Sequence, residues 1–500
     1  MKTAGMILMA SMAVAASAVE RTEVDFAVKA GTIRRALHSS GWGGQLVGPN
    51  SSRYGQLKPL NLKAARTHDW ALTNPGQRVC DLHFVFPLLH ADTQDARNYF
   101  FGPTDEILAM TIEDLGMDVL FRMGTSIESV NARRESKTRP SRYYNSVEPA
   151  DWEQFVKAQA QVIRHYTEGW ANGFKWGERM RYWELWNEPN DTPGGSWIRA
   201  DGNRDRTAND ARYFDFSVFV LKRLKGQFPH LKFGAPATCS YSEPFLRGFL
   251  AKCKESGYAP DFISWHSYGC NPEWMLAEPA KARKLADEFG FTKAELFIDE
   301  WHYIPSGAAW GWFGAEPETY AKLLSSDDGL TSVDAAVYAL QVIVGLQSTV
   351  LDQSYYYGCS HDGWNWGYRR PDNGFNKSFY ALRMFGDVVG ACETFVKGAD
   401  PTARNPVRAF GAWSRDGRRA YLIATVYRGK EATFEVCAKG LGKYSIASVT
   451  VVDGDHDGVQ ADPKSVVSRD GEILRFHKAN PSRAAAYLLE FEEGISQKHE

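Results

Sequence analysis

Past its first twenty residues this 500-residue chain has no run of the ~18 consecutive apolar positions that a bilayer-spanning helix requires. Charge of one sign is not in excess either. Lys and Arg total 58 against 60 for Asp and Glu, so the formal net charge of −2 gives no electrostatic footprint for nucleic acid or an anionic membrane. Cysteine is sparse: Cys80, Cys239, Cys253, Cys270, Cys359, Cys392 and Cys437 are scattered without a CxxC pair, unlike common zinc or thioredoxin-like sites. An odd count leaves at least one thiol unpaired within the chain. One bridge among Cys239, Cys253 and Cys270 is open, with free buried thiols as the alternative. There is no GxSxG elbow and no HExxH helix, which removes the usual serine-hydrolase and zincin readings. Gly41-Trp42-Gly43-Gly44 lacks dinucleotide spacing. Asp453-Gly454-Asp455-His456-Asp457-Gly458 opens like a calcium loop, but its twelfth position is Lys464 rather than Glu, so a polar turn is the simpler reading. Neither a metal nor a cofactor is expected.

What is present is an apolar fraction of 44%, enough for a large core, and a wealth of aromatics, with 16 Trp and 22 Tyr. Most of these should pack in the core. A share could stack on the apolar C–H faces of sugar rings. Lys2, the apolar stretch Met6 to Ala16 and the small residues Ala16-Ser17-Ala18 fit a secretory signal over 1–18, with a mature start near Val19 and a secreted or periplasmic destination. Asn50, Asn190 and Asn376 each open a glycosylation triplet.

Eight short apolar runs alternate with helical patterns: Arg35–Ser39, Lys63–His68, Val119–Met123, Tyr182–Trp186, Phe233–Ala235, Phe262–His266, Leu296–Ile298 and Ser354–Tyr357. Between them, Trp152, Phe155, Val156, Ala160, Ile163, Tyr166 and Trp170 form an amphipathic stripe, and Phe216, Phe219, Val220 and Leu224 another. Val333 to Leu346 is nearly apolar and should be well buried. Strand–helix alternation implies parallel strands with right-handed crossovers. Eight units suggest an α/β (β/α)8 TIM barrel over 36–390, although pattern alone also fits an open doubly wound sheet. Beyond residue 391 the runs Ala409–Trp413, Ala420–Tyr427, Ala432–Cys437, Ser445–Val452, Ile473–Phe476 and Ala484–Glu490 read as strands without helices. They predict an appended C-terminal antiparallel β-sandwich over 391–493, followed by a tail, 494–500. The alternating segment Glu20–Val28, within 19–35, should join that sandwich. No Pro/Ser-rich linker separates the two parts.

Two of the barrel runs end in glutamate. Trp183-Glu184-Leu185-Trp186 stops at Asn187-Glu188-Pro189-Asn190, and Leu296-Phe297-Ile298-Asp299 stops at Glu300-Trp301. Reactive groups of such barrels sit where strands end, at the C-terminal face. A carboxyl pair there is what glycosidic cleavage needs: one protonates the leaving oxygen, and the other attacks the anomeric carbon or activates water. A single Glu is ordinarily a solvated surface residue, but two at the ends of apolar aromatic strands, by this count four and seven, are harder to read that way. His68 also falls at a strand end and could bind a sugar hydroxyl or simply pack. Trp364 and Trp366, in the Gly-rich run after the last strand, are candidate stacking platforms. Thr125 to Tyr144 reads as a solvated charge run or a subsite loop.

Trp186-Asn187-Glu188-Pro189-Asn190 together with Ile298-Asp299-Glu300-Trp301 resembles the retaining glycoside hydrolases of clan A, most closely family 39, which includes β-xylosidases and α-L-iduronidases. Arg66-Thr67-His68-Asp69 and Asp261-Phe262-Ile263-Ser264-Trp265-His266-Ser267-Tyr268 resemble further segments of that family, and the likeness spans roughly 36–390. The resemblance implies Glu188 as general acid/base and Glu300 as nucleophile. It implies Asn187 on the sugar 2-hydroxyl, Arg66 holding Glu300 ionised, and His266 and Tyr268 reaching the sugar or Glu300; Trp301, next to Glu300, is a further substrate-binding candidate. The expected activity is a secreted, xylosidase-like retaining glycosidase working by double displacement, with a carbohydrate as its partner. A catalytically inactive carbohydrate-binding protein on the same barrel is the alternative. Sugar, linkage and oligomeric state leave no trace in the sequence.

Overall fold

The computed structural model describes residues 19–45, 51–71, 79–124, 147–190, 197, 199, 205–305, 324, 326–358, 368, 374–478 and 484–493. The expected signal segment 1–18, the run Thr125 to Tyr144, Cys359, Trp364, Trp366, Asn50 and residues 494–500 lie outside these residues. Eight parallel strands close a barrel in chain order: β2 (Ser39–Gln45), β3 (Ala64–Ala71), β4 (Asp118–Met123), β5 (Tyr182–Leu185), β6 (Lys232–Thr238), β7 (Phe262–Gly269), β8 (Glu295–Tyr303) and β9 (Gln353–Tyr357). The last pairs with the first through Ser39–Tyr355, Ser40–Tyr356 and Gly41–Tyr357, so the open sheet is excluded.

The expected first strand is displaced. Arg35–Leu37 is a single 3₁₀ turn, and the strand is Ser39–Gln45. Apolar content misled here, because Leu37 is buried beneath the barrel while the glycines form the strand. Gly41 serves closure: a Cβ there would lie 3.3 Å from the Tyr357 ring.

Period-two alternation fills the barrel in layers. Ala64, Leu120, Phe262, Phe297 and Tyr355 make an apolar floor with Tyr182 packed against it, and Phe262 stacks on Phe297 at 4.4 Å. Two residues further along β3 and β5 come Arg66 and Glu184, and along β8 Asp299, all fully buried. The polar layer therefore rests on a dry base.

Helices wrap the outside. Trp152–Thr167 begins at Asp151, whose carboxylate accepts the Gln154 N–H. It buries Phe155, Val156, Ala160, Ile163 and Tyr166 of its predicted stripe. Val333–Leu346 is buried along its whole length. It lies between the barrel and the C-terminal sheet, where Gln341 donates to Pro406 O and Thr425 Oγ1.

The C-terminal part is one sheet of ten strands. Its members are β1 (Arg21–Thr32), β10 (Cys392–Gly398), β11 (Val407–Ser414), β12 (Arg419–Val426), β13 (Thr433–Lys439), β14 (Tyr444–Val452), β15 (Asp457–Ala461), β16 (Val467–Asp470), β17 (Ile473–His477) and β18 (Ala485–Glu493). The order is β15-β14-β18-β12-β11-β10-β1-β13-β17-β16. All neighbours are antiparallel except β1 and β13, which run parallel. The ladder curls, since Phe434 on β13 and Phe476 on β17 reach Tyr487 on β18 at 5.9 and 5.1 Å. β10, β15 and β16 did not show in the pattern. β10 follows the helix Lys377–Ala391 without a break, and β15 and β16 are short edge strands with little apolar alternation. A one-turn helix, Pro463–Val466, also interrupts the strands.

The sheet docks onto the strands that carry the site. Tyr427 Oη donates to Cys270 O just past β7, and Arg428 reaches Tyr303 Oη on β8 and the Asp334 carboxylate. All six described cysteines are free thiols, so no bridge joins Cys239, Cys253 and Cys270. Asp453 accepts the N–H groups of Asp455 and His456, forming the polar turn between β14 and β15. Asn190 and Asn376 are buried, which disfavours a glycan at either. Replacing the floor residue Phe297 by Ala is expected to cost about 3–5 kcal/mol, read as a lowered denaturant midpoint. A loss under about 1 kcal/mol would show that the floor is not close-packed.

Candidate active site

Asp299 and Glu300 are consecutive on a strand, yet both side chains reach Arg66. Alternation should send them to opposite faces. The pairing with β7 explains the exception: Trp265 opposes Ile298, but His266 opposes Glu300, leaving Asp299 as an extra residue. This β-bulge turns two adjacent carboxylates toward the barrel axis. The other glutamate arrives by a different device. After β5 the backbone passes through positive φ at Trp186 (72°) and Glu188 (47°). Such conformations cost about 1–3 kcal/mol each for non-glycine residues. They are held by Trp186 N–H to Met123 O (2.7 Å) and Glu188 N–H to Ala237 O (2.8 Å). Asn190 Oδ1 then accepts the Cys239 N–H at 2.8 Å, tying the loop to the end of β6.

Arg66 organises the centre. Its Nε donates to Glu184 Oε2 at 2.6 Å, Nη1 to Glu300 Oε2 at 3.0 Å, and Nη2 to Asn187 Oδ1 at 2.9 Å; Nη2 also lies 3.1 Å from Asp299 Oδ2. His266 stands opposite. Its Nδ1 is 2.9 Å from Glu188 Oε1 and 3.5 Å from Glu300 Oε1, while Nε2 is 3.4 Å from Asp299 Oδ2. Tyr268 Oη donates to Glu300 Oε1 in a short hydrogen bond. Glu188, His266 and Glu300 each bring one atom within 4.8 Å of the others. That trio has the donor types of a metal cradle, but the Arg66 guanidinium already supplies the positive charge at Glu300.

Burial divides the two glutamates. The Glu300 side chain is 7% exposed and that of Glu188 26%, so Glu188 is the one open to an incoming group. Burial pushes the Glu300 carboxyl upward; His266 opposes this, Glu188 adds to it, and Arg66 and the Tyr268 hydroxyl oppose it again, leaving it raised. Arg66 therefore does not hold Glu300 ionised by itself, because its charge is shared with Glu184 and Asp299. Burial would depress the His266 imidazolium, but Glu300, Asp299 and Glu188 outweigh it and raise the group well above its ordinary value. Burial lifts Glu184 to about 8, opposed by Arg66 and reinforced by Asp299. Asp299 is pulled down, since Arg66 and His266 overcome its burial.

The structure thus brings together Arg66, Asn187, Glu188, His266, Tyr268 and Glu300. Trp301 is fully buried and packs edge-on against Tyr356 at 5.0 Å; among the described contacts none joins it to either glutamate. His302, also buried, has its Nε2 2.8 Å from Tyr356 Oη. His68 lies within β3, but its side chain is outside the described residues, as are Trp364 and Trp366. Sequence reasoning missed Glu184 and Asp299 as site residues. The available signal was a carboxylate in the interior of an otherwise apolar strand, which is rarely tolerated unpaired.

The family model for glycosyl hydrolases family 39 matches residues 63–289. A β-xylosidase of Geobacillus stearothermophilus is 30% identical over 178 residues, 32% of this chain and 32% of the relative, so the match spans about a third of that protein. Among solved structures, a glucosidase from Croceicoccus marinus is similar with a TM-score of 0.68 at 18% identity, over 95% of this chain and 100% of the other. A family 39 β-xylosidase from Caulobacter crescentus gives 0.63 at 16%, over 94% and 99%. These two likenesses speak for the fold.

The raised His266 pKa has a measurable sign. Its imidazolium stabilises the fold below the ordinary histidine value of about 6.5, and that contribution is lost as pH rises through the folded value. The stability gap between wild type and His266→Gln should be widest near about pH 6 and close toward alkaline pH, measured by denaturant titration across pH. A gap that grows with pH contradicts this.

Proposed function

We propose that this chain, a clan A glycoside hydrolase of family 39 on the match over residues 63–289, is a retaining β-glycosidase whose nucleophile is Glu300 and whose acid/base is Glu188. One observation carries the reading: a carboxylate oxygen of each glutamate lies within 4.8 Å of the other. Retaining enzymes keep their carboxyl groups about 5–5.5 Å apart, whereas inverting enzymes leave about 6.5–9.5 Å for a water. The exposure difference suits the roles, because the acid must meet the leaving oxygen and the nucleophile must meet only the anomeric carbon.

In the first step Glu300 Oε attacks the anomeric carbon as the glycosidic C–O bond breaks. Glu188 gives its proton to the departing oxygen. Arg66 and Tyr268 orient the attacking carboxylate, and Asn187, its oxygen engaged by Arg66, offers its amide N–H₂ to the sugar 2-hydroxyl. Once the ester forms, Glu300 loses its charge, and the like-charge penalty at Glu188 disappears. Glu188 then acts as base and removes a proton from the water that releases the sugar. The related β-xylosidases favour a β-xyloside as substrate, with a β-glucoside as the second choice after the similar glucosidase fold. Export as a secreted or periplasmic enzyme is proposed on the N-terminal segment alone.

A panel of nitrophenyl glycosides tests the substrate, with nitrophenyl β-xyloside expected to turn over fastest. Proton NMR of the first-formed sugar should show the substrate's own anomer; the inverted anomer would reject double displacement. Glu300→Ala should abolish turnover. Glu188→Ala should lose about 10²–10⁴-fold on poor leaving groups, while activated substrates are still cleaved in the first step, and azide should restore release. Normal hydrolysis of every substrate by Glu188→Ala would remove its assigned role.

A further inference from the structure

Four carboxyl groups, Glu184, Glu188, Asp299 and Glu300, converge on two cationic groups, Arg66 and His266. With every carboxyl ionised, the pocket would carry an excess of two negative charges while Glu184 and Asp299 are fully buried. Uncompensated buried charge is costly, and proteins avoid it by binding protons. The acid role puts one proton on Glu188. A second has three possible holders. Glu300 must be ionised to attack and is met by Arg66 Nη1 and the Tyr268 hydroxyl. Asp299 faces both cations, Arg66 Nη2 at 3.1 Å and His266 Nε2 at 3.4 Å. Glu184 has one donor, Arg66 Nε, on Oε2, while among the described residues its Oε1 and Asp299 Oδ1 have no donor and Asp299 Oδ2 has only its ion pairs to Arg66 and His266. The Glu184 and Asp299 carboxyl groups nonetheless meet on one guanidinium, Glu184 at Arg66 Nε (2.6 Å) and Asp299 at Nη2 (3.1 Å), so each, when ionised, raises the proton affinity of the other. Two bare carboxylates in that position would repel; one proton between them satisfies both.

We propose that Glu184 is kept as a neutral carboxylic acid that donates to Asp299, and that this pair is a positioning device that sets Arg66 and the charge balance behind the nucleophile. With Glu188 and Glu184 both protonated, two carboxylates face two cations and the pocket is neutral. The other groups facing Glu184 do not upset this count. Tyr213, from the helix Arg206–Gln227, and Tyr355, on β9, are both pushed upward by burial and stay neutral. Arg122, in register with Glu184 on β4, is bound by Asp81. A buried carboxylic acid held neutral so that it can donate is an arrangement low-dielectric sites support. The kinetic consequence and the proton on Glu188 rest on the glycosidase reading above; the proton between Glu184 and Asp299 does not, because without Glu188 three carboxyl groups still face two cations.

Infrared spectroscopy of the full chain carrying ¹³C-labelled glutamate separates the two. In Glu188→Gln at pH 7, where turnover is irrelevant, an isotope-sensitive carbonyl band of a buried protonated carboxyl is expected in the difference spectrum against Glu188→Gln/Glu184→Gln, where the band of Glu278, which burial pushes to about 7 in both variants, cancels. A difference spectrum without that band overturns the proposal. The kinetic readout adds a split that lost packing would not give. Glutamine can accept from Arg66 and donate to Asp299, so Glu184→Gln should lose under tenfold in kcat. Glu184→Ala and Asp299→Asn should lose a hundredfold or more. A Glu184→Gln loss as large as that of Asp299→Asn means that Glu184 works as a carboxylate, and the proposal fails. Should Glu184→Gln not fold, Glu188→Gln/Glu184→Ala takes its place in the difference spectrum. A band present in a protein that cleaves no glycoside would leave the proton pair standing and discard the glycosidase.

Discussion

One guanidinium has to satisfy three carboxyl groups and an amide at the same time. Arg66 sits at zero exposure above the apolar floor of the barrel and bonds Glu184, Asn187 and Glu300, with Asp299 alongside. Its planar fork of donors suits it to this, where a lysine ammonium would offer a single charged point. Strands β3, β5 and β8 are thereby joined at the level of the site. Positions of Glu184, Asp299 and Glu300 follow from where this cation is fixed, and its burial makes every bond to it costly to lose.

Regular strands could not have delivered those groups. A perfect β8 would face either Asp299 or Glu300 inward, and a regular end to β5 would not swing Glu188 toward His266. The extra residue at Asp299 and the positive φ angles at Trp186 and Glu188 are local departures with a shared result: acidic groups from the ends of β5 and β8 come within 4.8 Å of each other. The C-terminal sheet bears on the same walls through Tyr427 and Arg428, which grip the ends of β7 and β8. Its packing against the helix Val333–Leu346 explains why that helix is buried on every side.

Strand–helix alternation made the barrel legible, and the two glutamates stood out because each closes an apolar run. Family resemblance, not spacing, supplied Arg66, His266 and Tyr268. What stayed hidden has physical reasons. Ser39–Gln45 has three glycines and two serines in seven residues, and their small side chains erase the apolar period. Asp457–Ala461 and Val467–Asp470 are polar edge strands, where solvent rather than a core chooses the residues. Glu184 and Asp299 look in sequence like ordinary charges beside a motif. Their role follows from a bulge and a three-dimensional charge count that no one-dimensional pattern contains.

The central claim is that Glu300 forms a covalent bond to the sugar across the ring from Glu188. Trapping with a 2-deoxy-2-fluoro glycoside, followed by proteolysis and mass spectrometry, addresses it directly. The account predicts one adduct per chain, on the peptide containing Ile298-Asp299-Glu300-Trp301, with the modified atom on Glu300. An adduct on Glu188, on Asp299 or on a residue outside the pocket would contradict it.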